Sequence, residues 1–216
     1  MQFLLIPLIL QLTAACVWAQ TGMETAWVTF EDTAQQLYGF KDLKGNTTVS
    51  PRFLECFTDT FWKTAFVVVE HEGTICIDKN LNRLYVPYMW DNGIDFYQSG
   101  LIRIQDNKRI GFADTTGKII ISPTYDFVTP FEGNYAVFLS DGKYVCWNEK
   151  VADSLCEHMR WKGGYWGIIN KHNDTVVAPK LRESQLVDLD IATLTTKDPK
   201  SHSYISIKGG NRKTSN

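Results

Sequence analysis

The sequence predicts an all-β chain, an array of about four three-stranded antiparallel β-meander repeats with a period of about 36 residues. Three observations lead there. Aromatic residues are abundant, with 12 Phe, 9 Tyr and 7 Trp, a composition that suits strands better than helices. Four of the seven prolines, Pro51, Pro87, Pro123 and Pro179, each stand twelve residues after the start of a similar segment. Those segments begin at Gly39, Ile75, Gly111 and Gly167, and their fourth residues are Asp42, Asp78, Asp114 and Asn170.

The chain opens on an uncharged apolar run, residues 2–19, with Val17-Trp18-Ala19 at its end. That pattern predicts a secretory signal peptide over 1–19 and a mature start at Gln20. Leu12-Thr13-Ala14-Ala15-Cys16 also resembles a lipobox, which would make Cys16 a lipidated first residue. An uncleaved signal anchor is the third reading. No later segment is apolar enough to span a bilayer, so the mature chain is expected to have no transmembrane helix. The expected location is outside the cytoplasm: periplasmic, outer-membrane associated or secreted.

Residues 20–36 read as an N-terminal strand, centred on Ala26-Trp27-Val28-Thr29-Phe30, and a linker. The array then occupies 37–182. In its first unit, strands at about 37–42 and 46–50 flank Asp42-Leu43-Lys44-Gly45; in its third, strands at about 109–114 and 118–122 flank Asp114-Thr115-Thr116-Gly117. Asp-x-x-Gly is hairpin-turn chemistry, in which the carboxylate bonds the turn backbone and Gly takes the positive φ. Asn173 serves in the fourth unit. In the second, Leu81 holds the Gly place, and Asn80 or Asn82 is expected to carry the positive φ instead. Proline then ends the second strand, having no ladder donor. Apolar runs at 65–69, 100–104 and 135–138 read as the third strand of units one, two and three.

Gly39, Gly111 and Gly167 stand where a strand interior disfavours glycine, so each marks a bulge or a close neighbour, naturally an aromatic of the next unit. The third and fourth units start 56 residues apart, twenty more than the period. The extra stretch, about 143–162, reads as a degraded unit, with Val145-Cys146-Trp147-Asn148 at its start and Cys146 placed like Cys76. Residues 183–208 read as a C-terminal capping hairpin turning at Asp198-Pro199, and 209–216 as a polar disordered tail.

Export bears on the cysteines. Cys56, Cys76, Cys146 and Cys156 permit two disulfides in any of three connectivities. Cys146 is either a small buried hydrophobe or the partner of Cys156, a bridge worth roughly 2–3 kcal/mol for so short a loop.

The segments Trp166-Gly167-Ile168-Ile169-Asn170 and Val176-Val177-Ala178-Pro179 resemble the WG-repeat (KWG-repeat) proteins of bacteria. So do Gly111-Phe112-Ala113-Asp114 through Gly117 to Pro123-Thr124-Tyr125-Asp126, and Phe131-Glu132-Gly133 with Ala136-Val137. The resemblance covers about 37–182; the second unit lacks both glycines, and only the fourth has a Trp-Gly pair. It implies an exported all-β repeat array with no catalytic residues to carry over.

Several chemistries find no motif. The charge balance, 22 Lys and Arg against 24 Asp and Glu, lacks the basic excess of a nucleic-acid binder. His71-Glu72 does not continue into a zinc motif, and no nucleophile elbow, P-loop or dinucleotide fingerprint occurs. Cys156-Glu157-His158 places thiol and imidazole on neighbouring residues without an orienting third group. Asp78-Lys79-Asn80-Leu81-Asn82 starts like a calcium loop, but Met89 stands where the bidentate carboxylate belongs. Tryptophans 27, 62, 90, 147, 161 and 166 serve either as core and inter-unit packing or as sugar-stacking platforms. No catalytic, cofactor or metal site is expected. The expected activity is binding of a protein or an envelope polysaccharide; the alternatives are a secreted glycan hydrolase and a structural envelope lipoprotein.

Overall fold

A computed structural model describes residues 25–90, 93–148, 150, 155–156 and 158–186. The signal-peptide and Cys16 readings, the two strands assigned to the capping hairpin and the 209–216 tail lie outside them. The described chain is nearly all β, in antiparallel sheets of short strands, with one helical turn. Among the described residues no helix is long and apolar enough to cross a membrane.

Four three-stranded meanders are present. The first is β1 (Trp27–Asp32), β2 (Leu37–Asp42) and β3 (Thr47–Phe53). Its β4 (Glu55–Cys56) and β5 (Thr60–Phe61) lead to the second, β6 (Thr64–Val69), β7 (Gly73–Asp78) and β8 (Arg83–Pro87). A small hairpin, β9 (Met89–Trp90) with β10 (Gly93–Ile94), precedes the third, β11 (Leu101–Asp106), β12 (Arg109–Asp114) and β13 (Ile119–Tyr125). After β14 (Phe127–Val128), the fourth comprises β15 (Tyr135–Ser140), β18 (Tyr165–Asn170) and β19 (Thr175–Leu181). Between β15 and β18 stands the hairpin β16 (Lys143–Cys146) with β17 (Met159–Lys162). The helical turn α1 (Glu183–Leu186) opens the stretch assigned to the cap.

The meanders are offset by one strand from the sequence reading. The apolar runs at 65–69, 100–104 and 135–138 do not close the preceding unit; they pair along their length with the next unit's central strand, β6 with β7, β11 with β12 and β15 with β18. For the same reason β1 is the first strand of unit one, in register with β2 from Trp27↔Asp42 to Asp32↔Leu37. An apolar run announces a strand but not which neighbour it joins.

The extra residues before unit four are not a degraded repeat. They extend the β15–β18 turn, whose pairing runs unbroken from Tyr135↔Asn170 to Ser140↔Tyr165. Cys146 pairs across β16 and β17 with Met159, whereas Cys76 sits on a central strand opposite Phe66. The two cysteines are therefore not equivalent.

Pro51, Pro123 and Pro179 do not end their strands. Each lies inside an edge strand, at a bulge where four residues of the third strand span two of the central one: Tyr38↔Phe53 and Phe40↔Val49, Ile110↔Tyr125 and Phe112↔Ile121, Trp166↔Leu181 and Ile168↔Val177. A bulge leaves an N–H out of the ladder, so proline is tolerated there. The glycines lie beneath these bulges. A Cβ on Gly39 would stand 2.5 Å from the Val49 carbonyl and 2.9 Å from the Pro51 nitrogen; one on Gly111 would meet Ile121 O and the Pro123 nitrogen. The aromatics that cover Gly39 and Gly167, Phe30 and Phe138, come from the preceding strand of the same meander and not from the next unit.

The second unit has Ile75 in the glycine place and no such bulge: β8 ends at Pro87 and its last residues already pair with β11, Val86↔Gln105 and Pro87↔Ile104. Units two and three thus share one seven-stranded sheet ending in β4.

Opposite the first-strand residues Thr29, Phe66, Arg103 and Val137 lie Phe40, Cys76, Phe112 and Ile168, all at most 1% exposed. They anchor the core of each unit.

Candidate functional site

The hairpin turns behave as one motif. Asp42 Oδ1 accepts from the amides of Lys44 (2.8 Å) and Asn46 (2.9 Å), and Asn46 Nδ2 donates to Asp42 Oδ2 (2.8 Å). Asp78 repeats this with Asn80 and Asn82, and Asp114 with the amides of Thr116 and Lys118. In the fourth turn the chemistry is exchanged: Asn170 accepts the amides and donates through Nδ2 to Asp174 (2.9 Å). The positive φ falls on Gly45 (91°), Leu81 (64°), Gly117 (89°) and Asn173 (67°). Leu81 itself, and neither Asn80 nor Asn82, therefore holds the strained position. The Asp78 turn keeps the bonds of the Asp42 turn with a leucine in that position.

These bonds also depress the three carboxyls. Asp42 is lowered chiefly by the Asn46 side chain and amide. For Asp78 and Asp114 partial desolvation works upward but is outweighed, by Asn82 and Asn80 in one case and by Thr116 and Lys118 in the other.

Each passage between meanders repeats a contact. Phe57 N donates to Phe66 O, Tyr88 N to Arg103 O and Thr129 N to Val137 O, at 2.8–3.0 Å. At the first and third passages a threonine hydroxyl accepts a bond in return, Thr58 Oγ1 from Phe66 N and Thr129 Oγ1 from Val137 N. The second passage is different. Arg103 stands in the core position held elsewhere by Phe66 and Val137, and is 4% exposed. Its Nε and a terminal nitrogen bond both oxygens of Asp95 (2.7 and 3.1 Å), which is 3% exposed, and its other terminal nitrogen donates to Val128 O (3.2 Å). The guanidinium lies 4.5 Å from the Tyr88 ring centroid. A bidentate, fully engaged pair is the arrangement in which buried charge is tolerated. The run Leu101-Ile102-Arg103-Ile104 reads as apolar in sequence, and its arginine gave no sign of this role.

Asp95 faces an open cleft of about 870 Å³, within the range of ligand sites. One wall is the chain from Phe57 to Thr64, the other Gly93 to Tyr97, and Thr115 of the third turn closes an end. Phe57, Phe66, Ile94 and Tyr97 give it an apolar floor. Trp62 and Phe96 stand at the rim, 57% and 73% exposed. Asp59 and Lys63, on the wall beside Trp62, are exposed and carry no ion pair among the described residues.

Behind the floor lie Cys76 and Tyr85, next to Tyr97. Burial pushes the Cys76 thiol up to about 11 and raises both phenols. The groups are near enough to influence one another, yet neither tyrosine hydroxyl finds a partner of good geometry. Cys76 is thus a protonated, inert thiol at neutral pH.

The tryptophans divide. Trp166 is buried, and Trp27 and Trp161 are packed, Trp27 edge-on to Phe61 and Trp161 beside Tyr144 and Phe127. Trp62, Trp90 and Trp147 are exposed. Cys146 and Cys156 are joined, with Cα atoms 5.6 Å apart, and Cys56 and Cys76 are free. Sulfur that would have served a Cys156–His158 pair is thereby consumed. Among the described residues no three His, Cys, Asp or Glu side chains converge as metal ligands.

Sequence comparison bears on the third and fourth meanders. A family model described as a WG-containing repeat matches residues 110–144, from the start of the third meander's central strand through the first strand of the fourth. No curated protein and no solved structure matches the chain.

Proposed function

We propose, from the premise that residues 110–144 are a WG-containing repeat, that this is an exported, non-catalytic β-repeat protein that binds an extended partner of the cell envelope. The observation that carries the reading is the cleft, where Trp62 and Phe96 hold their rings in solvent above an apolar floor. Isolated exposed apolar residues are ordinary; two large aromatic rings rimming one concave surface mark a binding site. A polysaccharide suits it better than a protein partner, since flat rings with nearby hydroxyls and charges match the two-faced chemistry of a sugar chain. The secretory reading of residues 1–19 supports export. Binding is favoured over glycan hydrolysis because hydrolysis needs two available carboxyls across the substrate, and of the two aspartates in the cleft, Asp95 is committed to Arg103.

Affinity capture from the native envelope tests this, with the retained material identified by mass spectrometry and Trp62→Ala as control. Retention that depends on Trp62 supports the reading; retention unaffected by Trp62→Ala moves the binding surface elsewhere. The intact mass of the exported protein separates a start at Gln20 from a lipidated Cys16, which would favour a structural lipoprotein.

A further inference from the structure

We propose that the occupant of this cleft is a neutral pyranose chain, stacked on Trp62 and Phe96 and hydrogen-bonded by Asp59, Lys63 and the threonine hydroxyls between them. The inference rests on the reading of the cleft as the binding site and adds the chemical class of its ligand.

Charge comes first. The cleft holds three ionisable side chains of fixed sign besides its tyrosine: Asp59, Lys63 and Asp95. Asp95 is neutralised by the buried Arg103, which bonds both its oxygens. Asp59 and Lys63 cancel. A site without net charge offers no field to an anionic polymer, whose binding needs a basic excess, and none to a polycation.

Shape and polarity come second. A pyranose ring has an apolar C–H face and a hydroxyl edge. Trp62 and Phe96 offer broad apolar faces, and around them stand a carboxylate acceptor, an ammonium donor and the hydroxyls of Thr58, Thr60 and Thr115. That inventory pairs with vicinal hydroxyls. A peptide would be held by strand addition, but the strand pieces on the walls, Thr60–Phe61 and Gly93–Ile94, are two residues each and template no ladder. The volume of about 870 Å³ and the open rim suit a chain of several sugars and not one enclosed ring.

The Asp95–Arg103 pair has a second effect. It holds the side chain of Asp95, the residue before Phe96, and the Asp95 amide bonds Tyr88 O.

The test is titration calorimetry of the full mature chain with three hexasaccharides: β-1,4-linked glucose, β-1,4-linked N-acetylglucosamine and galacturonate. At least one neutral hexamer should bind, with hexagalacturonate at least tenfold weaker. Trp62→Ala and Phe96→Ala should each lose at least tenfold, and Trp62→Phe should keep most of the affinity, which separates stacking from misfolding. Asp59→Asn leaves Lys63 uncompensated and should raise affinity for hexagalacturonate. Galacturonate binding as tight as the neutral sugars, or affinity indifferent to Trp62→Ala, overturns the proposal. If no hexamer binds while capture from the envelope still depends on Trp62, the ligand class is wrong and the cleft reading stands. If capture is indifferent to Trp62 as well, both fall.

Discussion

Gly111 lies directly beneath Pro123. A side chain on Gly111 would collide with the Ile121 carbonyl, the Pro123 nitrogen (2.6 Å) and the Ser122 carbonyl carbon (2.7 Å), because the edge strand bulges over that point of the central strand. Glycine and proline, twelve residues apart, are two parts of one feature. The bulge carries the edge strand back onto the central strand before the chain crosses to the next meander. Where the glycine is Ile75, the crossing starts at Pro87 and the saved residues return as the β9–β10 hairpin that leads into one wall of the cleft. The repeat without the glycine thus contributes one wall of the candidate site.

Gly111→Ala should consequently destabilise by about 1–3 kcal/mol, the usual effect of forcing a methyl against backbone that cannot yield. For a chain of this size that lowers the melting temperature by roughly 2–4 °C per kcal/mol. A variant that melts with the wild type would show that the bulge is soft and that the glycine is dispensable.

The turns predict an asymmetry. Gly117 combines a φ of 89° with Thr64 Cγ2 and Leu84 Cδ1 lying 2.7 and 2.5 Å from where a Cβ would stand. Gly117→Val therefore meets both backbone strain and collision, and should cost about 2 kcal/mol or more. Leu81 occupies the equivalent place at φ 64°, half-buried against the core of the first two meanders. Leu81→Gly relieves about 1 kcal/mol of left-handed strain and removes roughly as much apolar burial. Its melting temperature should stay within a few degrees of the wild type while that of Gly117→Val falls clearly below it. A large loss in Leu81→Gly would mean that packing, not turn geometry, governs the second turn.

What was legible in the sequence was local. Asp-x-x-Gly spacing and the in-phase prolines announce turns and repeats because each feature is satisfied within a few residues. Pairing partners are not local: nothing in Ala65-Phe66-Val67-Val68-Val69 states whether it joins the strand before or after it, and so the meanders came out one strand late. Val145-Cys146-Trp147-Asn148 imitates a strand start because any short strand with an inward cysteine does. The cleft was invisible for the same reason, since its walls come from different meanders. Arg103 was hidden by its apolar neighbours, and its partner Asp95 lies in another strand's approach.

The turn carboxylates give a pH dependence with a definite sign. Asp42, Asp78 and Asp114 have folded-state pKa values below their ordinary one. Their contribution to stability is fully present above the unfolded value, near pH 4, and is lost as pH falls through the depressed folded values. Asp114→Ala should lower the melting temperature at pH 7 and do so less at pH 2, where the wild-type carboxyl is protonated too. An Asp114→Ala deficit that is the same at both pH values would assign the loss to the backbone and not to the charged acceptor.

The buried pair supplies the sharpest test of the second passage. Removing one partner leaves the other charged, desolvated and unmatched, which typically costs about 3–5 kcal/mol, whereas replacing both with apolar groups of similar volume is often neutral or better. Asp95→Leu and Arg103→Met should each destabilise strongly. Arg103 holds the position that Phe66 and Val137 fill in neighbouring meanders, so an apolar side chain is already compatible with that site. The double variant Asp95→Leu, Arg103→Met should accordingly recover most of the stability lost by either single change. Val128 O would lose its buried donor, so recovery should stop about 1 kcal/mol or so short of complete. Chemical denaturation of the four proteins measures the coupling directly. If the losses simply add, the aspartate and arginine act independently, and the hydrogen bond to Val128 O, not the ion pair, is what Arg103 contributes.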